Sequence, residues 1–315
     1  RLAYVSKGQV WMMNSDGGAN AQLFKMRGSA SALQWSPDSS KLAFTSNRGD
    51  HSFVGVYDLA AKSLKWIAPS VDRDSSPIWS PDSKRLAFLR EPTVSKPFMF
   101  APVRETTPFE ILTADVTSTE VSAKSIFRAT AGPGSAFWNI VADTQIFWGD
   151  GDQIIFPWEK SGWVNLYSIP AAGSAEPKPL TPGEFEVEYV LLSRDRKSLY
   201  FNSNRGDPHR RHLFRVPVAG GEVTQLTSGN SIEWSPTELS DSKTLTFLRS
   251  DAKRPAEAAL YLVTGGYESM DKSALPESWP DEELVEPEPI SVTATDGLTV
   301  PGQLFVPKSQ TVGKR

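Results

Sequence analysis

Charged residues in the segment 90–109 are the first candidates for ligand chemistry in this 315-residue sequence. The segment reads REPTVSKPFMFAPVRETTPF and contains Arg90, Glu91, Arg104 and Glu105. Guanidinium groups bind carboxylates and carboxylates bind ammonium groups through charge-assisted hydrogen bonds. These four side chains are therefore substrate-contact candidates. An ordinary exposed loop is the alternative interpretation.

The sequence contains little that could support metal or nucleophile chemistry. GDGDQ at 149–153 has alternating aspartates, as calcium loops do, but it lacks the further ligands and terminal glutamate that such a loop needs. The histidines His51, His209 and His212 are too scattered for a zinc site, and there is no cysteine. No Gly-x-Ser-x-Gly nucleophile motif occurs. We expect no metal, no cofactor and no catalytic residue within this chain.

An internal repeat supplies the elements that must position the candidates. SNRGD occurs at 46–50 and again at 203–207, and a frame of Trp-Ser-Pro-Asp-Ser followed by an apolar triplet recurs around it. Copies of the frame, some of them degenerate, begin at Trp35, Trp79, Trp148, Leu192 and Trp234. Their spacings are 44, 69, 44 and 42 residues, and we assign the 25-residue excess in the second spacing to an insertion near 90–109. A period of about 40–45 residues is typical of propellers.

Each repeat unit predicts four short strands joined by polar turns. In Pro-Asp-Ser, Pro fixes φ while Asp and Ser bond nearby backbone groups. Apolar runs such as KLAFTS and RLAFLR follow, then alternating runs such as FVGVYDLA, then a short closing strand. We therefore expect an all-β fold, a β-propeller of four-stranded blades. About six blade units are visible, an incomplete first one and others beginning near 32, 76, 145, 189 and 231.

The repeat also explains SNRGD and predicts the domain boundaries. Both copies fall just after a second strand, which favours a polar turn over an adhesion motif. The blade pattern ends near 275, and the Pro- and Glu-rich stretch 276–289 predicts a linker. Residues 290–315 contain two alternating strands around Asp-Gly, a strong hairpin signal. We expect a second domain to start there and continue beyond this chain, and the parent propeller to have seven or eight blades.

Composition excludes some classes of partner. The net charge is −4 with both signs interspersed, and no basic stripe indicates nucleic acid binding. The sequence contains no run of about 18 apolar residues, so it does not predict a membrane-spanning helix. Ten Trp and 16 Phe are enough to fill the spaces between blades, so we expect most of them to be structural.

Several segments together resemble the N-terminal propeller of the prolyl oligopeptidase family of serine peptidases. The resemblance depends on the tandem WSPDSxxLAF units, EKSGWVNLYSIP at 159–170, DPHRRHLFRVPVAGGEVTQLT at 207–227 and the hairpin TATDGLTVPGQLFVPK. It covers roughly 30–307 and is strongest to dipeptidyl-peptidase-IV-like and acylaminoacyl-peptidase-like bacterial members. TolB-type propellers share the WSPD units, so a TolB-like binding or scaffold propeller is the alternative. A carbohydrate-active propeller is a third interpretation.

The resemblance implies a division of labour between two domains. In that family an α/β-hydrolase domain carries a Ser, His and Asp triad, and the propeller gates the site and selects short peptides. The implied partners are the chain's own C-terminal α/β-hydrolase domain and short peptide substrates, and a homo-oligomer is left open. An exported or periplasmic bacterial enzyme is favoured, with a cytoplasmic one as the alternative.

Segments that recur in the family add three substrate-contact candidates, Glu159, Arg210 and Arg211. Ion pairs between blades are the alternative interpretation, in particular between the arginines and EFEVE at 184–188, which we assign to the neighbouring blade. Dipeptidyl members clamp the substrate's amino group with a Glu-Glu pair in a propeller insertion. The only such pair here, residues 282–283, lies in the linker, so the peptide specificity stays open.

Overall fold

The computed structural model describes residues 1–93, 107–118, 120–173, 175–262, 266–270 and 275–308. Nearly all regular structure within these ranges is β-strand, which confirms the expected all-β class. The chain forms two compact units, Arg1–Pro182 (unit 1) and Gly183–Arg315 (unit 2).

Unit 1 contains four successive antiparallel blades. The first blade has three strands, β1 Leu2–Ser6, β2 Gln9–Met13 and β3 Ala21–Gln22. The second has β4 Ser29–Trp35, β5 Lys41–Asn47, β6 Ser52–Asp58 and β7 Ser63–Trp66. The third has β8 Arg73–Trp79, β9 Arg85–Glu91, β10 Glu110–Asp115 and β11 Ala123–Arg128. The fourth has β12 Phe147–Gly149, β13 Gln153–Trp158, β14 Asn165–Pro170 and β15 Lys178–Pro179.

Unit 2 contains two further blades and a separate hairpin. The fifth blade has β16 Val187–Leu192, β17 Ser198–Ser203, β18 His212–Pro217 and β19 Thr224–Gln225. The sixth has β20 Ile232–Glu238, β21 Thr244–Ser250, β22 Glu257–Leu262 and β23 Tyr267–Ser269. The hairpin pairs β24 Glu288–Thr293 with β25 Thr299–Leu304. These strands follow the expected blade phases, which confirms the propeller interpretation of the repeat.

Two connections in unit 1 are much longer than their counterparts in the second blade. One joins β9 to β10 through residues 92–109, and the other joins β11 to β12 through residues 129–146. The extra residues that the sequence analysis assigned to 90–109 are therefore shared between the two connections. Residues 94–106 lie outside the described residues.

The Ser-Pro-Asp-Ser turns share one geometry because their side chains bond their own backbone. Ser36 Oγ donates to the Asp38 carboxylate at 2.6 Å and accepts the Lys41 N–H at 2.9 Å. Ser39 takes a left-handed φ of 59°. The hydrogen bonds from the Ser36 hydroxyl and the Ser40 N–H lower the pKa of Asp38 to about 2, because they stabilise the ionised carboxylate. The Ser-to-Asp contact recurs at 80–82 and 193–195.

The core lies between the faces of adjacent blades. Between the third and fourth blades, Phe109, Trp148 and Phe156 are almost completely buried. Between the second and third blades, Val54 and Phe88 are completely buried. The aromatic residues thus fill the spaces between blades, as composition predicted.

The SNRGD segments are turns between second and third strands. Gly49 has a left-handed φ of 99°, a conformation that favours glycine. The Arg48 guanidinium lies 4.5 Å from the Phe53 ring centre, and the Arg205 guanidinium lies 5.9 Å from that of Phe214. Because each arginine covers an aromatic ring of its own blade, the tripeptide is a structural part of the repeat.

Candidate functional site

The described candidates all lie at one edge of their blades. We call the edge that carries the connection between the second and third strands the loop edge. The candidates there are Arg90 and Glu91 at the end of β9, Glu159 directly after β13, and Arg210 and Arg211 directly before β18. Arg104 and Glu105 belong to the same kind of connection in the third blade, but they lie outside the described residues. The repeat therefore places each candidate at the same phase of its own blade.

Arg90 forms a buried ion pair with Asp74 on the neighbouring strand β8. Its Nε and Nη2 donate to the two carboxylate oxygens at 2.6 and 2.9 Å, and Nη2 also donates to the Ala68 carbonyl at 2.7 Å. Asp74 has no exposed surface. Burial raises the pKa of Asp74 to about 6, while the Arg90 guanidinium opposes this shift. Arg90 therefore joins two strands of its blade.

Glu91 ends β9. Its side chain is partly buried, and burial raises its pKa, while Arg73 on β8 opposes the shift. No hydrogen bond from another residue in the described ranges contributes to its pKa. Among the described residues, the carboxylate has therefore lost hydration without gaining a hydrogen-bond donor. A ligand ammonium group would stabilise its ionised form.

The two arginines before β18 differ in their partners. Arg211 Nε donates to Glu188 Oε1 at 2.6 Å, and both side chains are about one-third exposed, at 31% and 33%. Glu188 lies on β16 of the same blade, so the assignment of this segment to a neighbouring blade was wrong. Arg210 Nη1 donates to the His209 carbonyl at 3.1 Å. Arg210 is thus the more available guanidinium of the two.

A buried polar network that the sequence analysis missed joins the fifth and sixth blades. The Glu233 carboxylate contacts His212 Nδ1 at 2.9 Å, accepts a hydrogen bond from Thr227 Oγ1 at 2.8 Å and accepts another from the Ser231 hydroxyl. The Asn202 side-chain amide donates to the Glu233 carbonyl at 3.0 Å. All five residues are buried, so this network is structural. The sequence signal for this network was Glu233, an acidic residue at the second position of β20, the first strand of its blade. Asp74 occupies the same position in β8.

The residues on either side of Glu159 line a cleft of about 610 Å³ in unit 1. Trp158 Nε1 donates to the Gly134 carbonyl at 2.7 Å, and the Lys160 ammonium lies 4.8 Å from the Trp158 ring centre. Glu159 is partly exposed, and its carbonyl accepts the Gly162 N–H at 3.1 Å. Sequence reasoning missed the lining side chains because the cleft is made by two blades.

Within the described ranges, no helix is long and apolar enough to cross a membrane. The same part of the chain contains no group of three or more His, Asp or Glu side chains that could hold a metal ion.

Residues 102–255 match the family model of the dipeptidyl peptidase IV (DPP IV) N-terminal region. The matched span runs from the third blade into the sixth and contains Glu159, Arg210 and Arg211. The matched span is similar to that family over 154 residues, just under half of the chain. The DPP IV-like N-terminal propeller expected from the sequence is thereby confirmed.

The curated relatives are fungal proteins named probable dipeptidyl peptidase 4. The one from Aspergillus flavus is 38% identical over 69 residues, which cover 22% of this chain and 9% of that protein. The one from Aspergillus fumigatus is 39% identical over 69 residues, with the same coverage. The chain thus matches only a small part of the length of these DPP IV relatives. Because they are fungal, the expected bacterial origin stays a prediction.

Solved structures share the fold over most of the chain. A Mycobacterium tuberculosis puromycin-hydrolyzing peptidase has a TM-score of 0.68 at 14% identity, covering 96% of this chain and 46% of that one. Porphyromonas gingivalis dipeptidyl peptidase 4 has a TM-score of 0.58 at 11% identity, covering 96% and 54%. TolB from Acinetobacter baumannii has a TM-score of 0.51 at 19% identity, covering 84% and 61%. At these identities the likeness shows the propeller fold alone.

Proposed function

We propose that this chain is the substrate-gating and substrate-selecting propeller of a serine peptidase that hydrolyses short peptides. The observation that carries the proposal is the match of residues 102–255 to the DPP IV N-terminal region. The 38% identity to a probable dipeptidyl peptidase 4 over 69 residues supports it. In this proposal the catalytic triad is carried by an α/β-hydrolase domain, as the resemblance to the prolyl oligopeptidase family implies.

In this proposal the loop edges supply the selecting side chains. Glu91 binds a peptide ammonium group, which would donate hydrogen bonds to its partly buried carboxylate and stabilise the ionised form. Arg210 binds carbonyl or carboxylate oxygens. Arg90 positions Glu91 by fixing β9 against β8 through Asp74. Arg104, Glu105, Glu159 and Arg211 remain candidates for weaker contacts.

The proposal is tested on the natural full-length protein with a serine-reactive fluorophosphonate and fluorogenic peptides. We expect labelling of one serine and hydrolysis of short substrates. Glu91→Gln should raise KM for substrates with a free amino group and leave N-acetylated ones unchanged. Glu222→Gln, at an exposed turn of the fifth blade, is the matched control. Absence of both labelling and hydrolysis in the folded protein would contradict the peptidase function.

A TolB-like binding propeller is the alternative, and the same experiment separates the two. Its support is the TolB fold likeness, with a TM-score of 0.51 over 84% of this chain. The puromycin-hydrolyzing peptidase superposes over 96% of the chain with a TM-score of 0.68. The family model that matches residues 102–255 is that of the DPP IV N-terminal region. Both observations favour the peptidase function. A protein that binds peptides without reacting with the fluorophosphonate would favour the alternative.

A further inference from the structure

We propose that the cleft in unit 1, between the third and fourth blades, binds a short peptide whose amino and carboxyl termini are both free. The cleft measures about 610 Å³, within the range of small-ligand sites. It is bounded by the end of β11, the end of β13 and residues 173 and 175–177, which lie between β14 and β15. The choice of a peptide among doubly charged ligands rests on the proposed function.

Apolar side chains form the floor of the cleft. Ile126 and Trp158 are each 6% exposed and Ile169 is 1% exposed. The Phe127 and Trp158 rings meet edge to face, with centres 4.9 Å apart. Such a floor offers apolar surface to an apolar side chain of the ligand.

The strand directions separate the charges of the cleft into two ends. Arg128 ends β11 and Lys160 follows β13, at the loop edge, where Trp158 Nε1 donates to the Gly134 carbonyl. Because β14 runs antiparallel to β13, Glu176, which follows it, lies at the opposite end. Among the charged side chains that line the cleft, the two cations therefore lie at the loop edge and the anion lies at the other end.

Contacts along β11 support this direction. Lys124, near the start of β11, donates from Nζ to the Ala172 carbonyl at 2.7 Å. A side chain at Gly173 would lie 2.8 Å from Ile126 Cα, so the connection after β14 packs closely against β11. The start of β11 thus lies beside the end of β14, away from Arg128.

The length of the cleft sets the size of the ligand. Trp158 is opposite Asn165, and Ile169 lies further along β14, so the floor extends by roughly 13 Å at about 3.3 Å per residue. An extended peptide covers that distance with about four residues. A tetrapeptide can therefore place its termini at the two charged ends.

The charged side chains retain capacity for a ligand. Arg128 is 68% exposed and uses Nη2 for Glu110 at 2.9 Å, and a guanidinium has five N–H donors. The Lys160 ammonium is held over Trp158 by a cation–π contact, which leaves its N–H groups able to donate to a carboxylate. At the other end, the Glu176 carboxylate can accept hydrogen bonds from a peptide ammonium group.

The test is isothermal titration calorimetry of the 315-residue chain with the tetrapeptide Ala-Leu-Leu-Leu, its C-terminal amide and its N-acetyl form. We expect the free tetrapeptide to bind, and each blocked form to bind about tenfold more weakly. In an Arg128→Gln, Lys160→Gln double variant the amide should no longer differ from the free acid. In Glu176→Gln the N-acetyl peptide and the free peptide should bind with equal affinity. Lys197→Gln, an exposed lysine in unit 2, should behave as the unchanged chain.

Three results would overturn the proposal. One is equal affinity of the free and blocked peptides for the unchanged chain. Another is an effect of blocking that persists in the variants. The third is no binding at millimolar peptide by a chain whose circular dichroism shows it folded. Calorimetry needs no turnover and the fluorophosphonate test needs no binding in the cleft, so the two proposals can fail separately.

Discussion

Replacing Arg90 by glutamine (R90Q) tests how the buried ion pair stabilises the third blade. The change removes the guanidinium that bonds both carboxylate oxygens of Asp74, at 2.6 and 2.9 Å, and leaves a fully buried carboxyl group without a counter-charge. Removing one partner of a buried pair typically costs about 3–5 kcal/mol. We expect R90Q to approach this cost only at pH values at which Asp74 is ionised in the unchanged chain.

The cost depends on pH because Asp74 can bind a proton. Its pKa in the folded chain is raised by burial to about 6, whereas unfolded aspartates titrate at ~3.9. The folded state therefore binds the proton more tightly, and this group's contribution to stability falls as pH rises from about 4 to 6. Without Arg90 the pKa rises further, so the fall continues above pH 6 at about 1.4 kcal/mol per pH unit. The destabilisation by R90Q should grow from roughly 1 kcal/mol at pH 5 to roughly 3–4 kcal/mol at pH 8.

The assay is urea unfolding followed by tryptophan fluorescence at pH 5, 6.5 and 8. Arg128→Gln is the matched control, because Arg128 is 68% exposed in its pair with Glu110 and such pairs contribute at most about 1 kcal/mol. A loss of stability by R90Q that is the same at pH 5 and pH 8 would refute the reasoning. So would a loss at pH 8 no larger than that of the control.

Three further substitutions test the repeat geometry. Gly206→Ala should cost roughly 1 kcal/mol in urea unfolding, because Gly206 has a φ of 82° in the second SNRGD turn; an unchanged midpoint would contradict this. Ser193 and the Lys197 N–H hold the pKa of Asp195 below its usual range, so its contribution is present above about pH 4 and is lost as pH falls below. Asp195→Asn should therefore reduce the free energy of unfolding at pH 7 and make it depend less on pH below about pH 4. The same pH dependence as in the unchanged chain would count against this. Thr227→Ala should lower the free energy of unfolding by about 2 kcal/mol, because Thr227 Oγ1 donates to Glu233 and accepts the Leu213 N–H. Thr227→Ser keeps the hydroxyl and should restore most of this loss. If it does not, the hydroxyl is not the cause.

The sequence predicted the blades because their turns depend on local chemistry. Ser-Pro-Asp-Ser fixes its own turn through short-range hydrogen bonds, so the phase of most units could be read directly. The sixth blade shows where this fails. There the Trp-Ser-Pro motif at 234–236 precedes the turn, which runs from Leu239 to Ser242. Ser235 instead takes a left-handed φ of 52° at an irregularity in the pairing of β20 with β21.

The partners of the candidate residues could not be predicted in the same way. Arg90 and Asp74 are 16 residues apart, and their contact depends on the register of β8 against β9. Arg211 and Glu188 meet across one blade, a contact that the sequence analysis assigned to two. The phase of the repeat placed the candidates at the loop edge. Only packing decides that the Arg90 guanidinium is used within its own blade, in the pair with Asp74.

Size selection tests the central claim, that this propeller gates a peptidase for short peptides, most directly. The measurement compares cleavage by the natural full-length protein of a short peptide and of the same sequence inside a loop of a folded carrier protein, at equal concentrations. The account predicts rapid cleavage of the free peptide and an intact carrier after the same incubation. Cleavage of both at similar rates would contradict the gating role, and cleavage of neither would contradict the peptidase function.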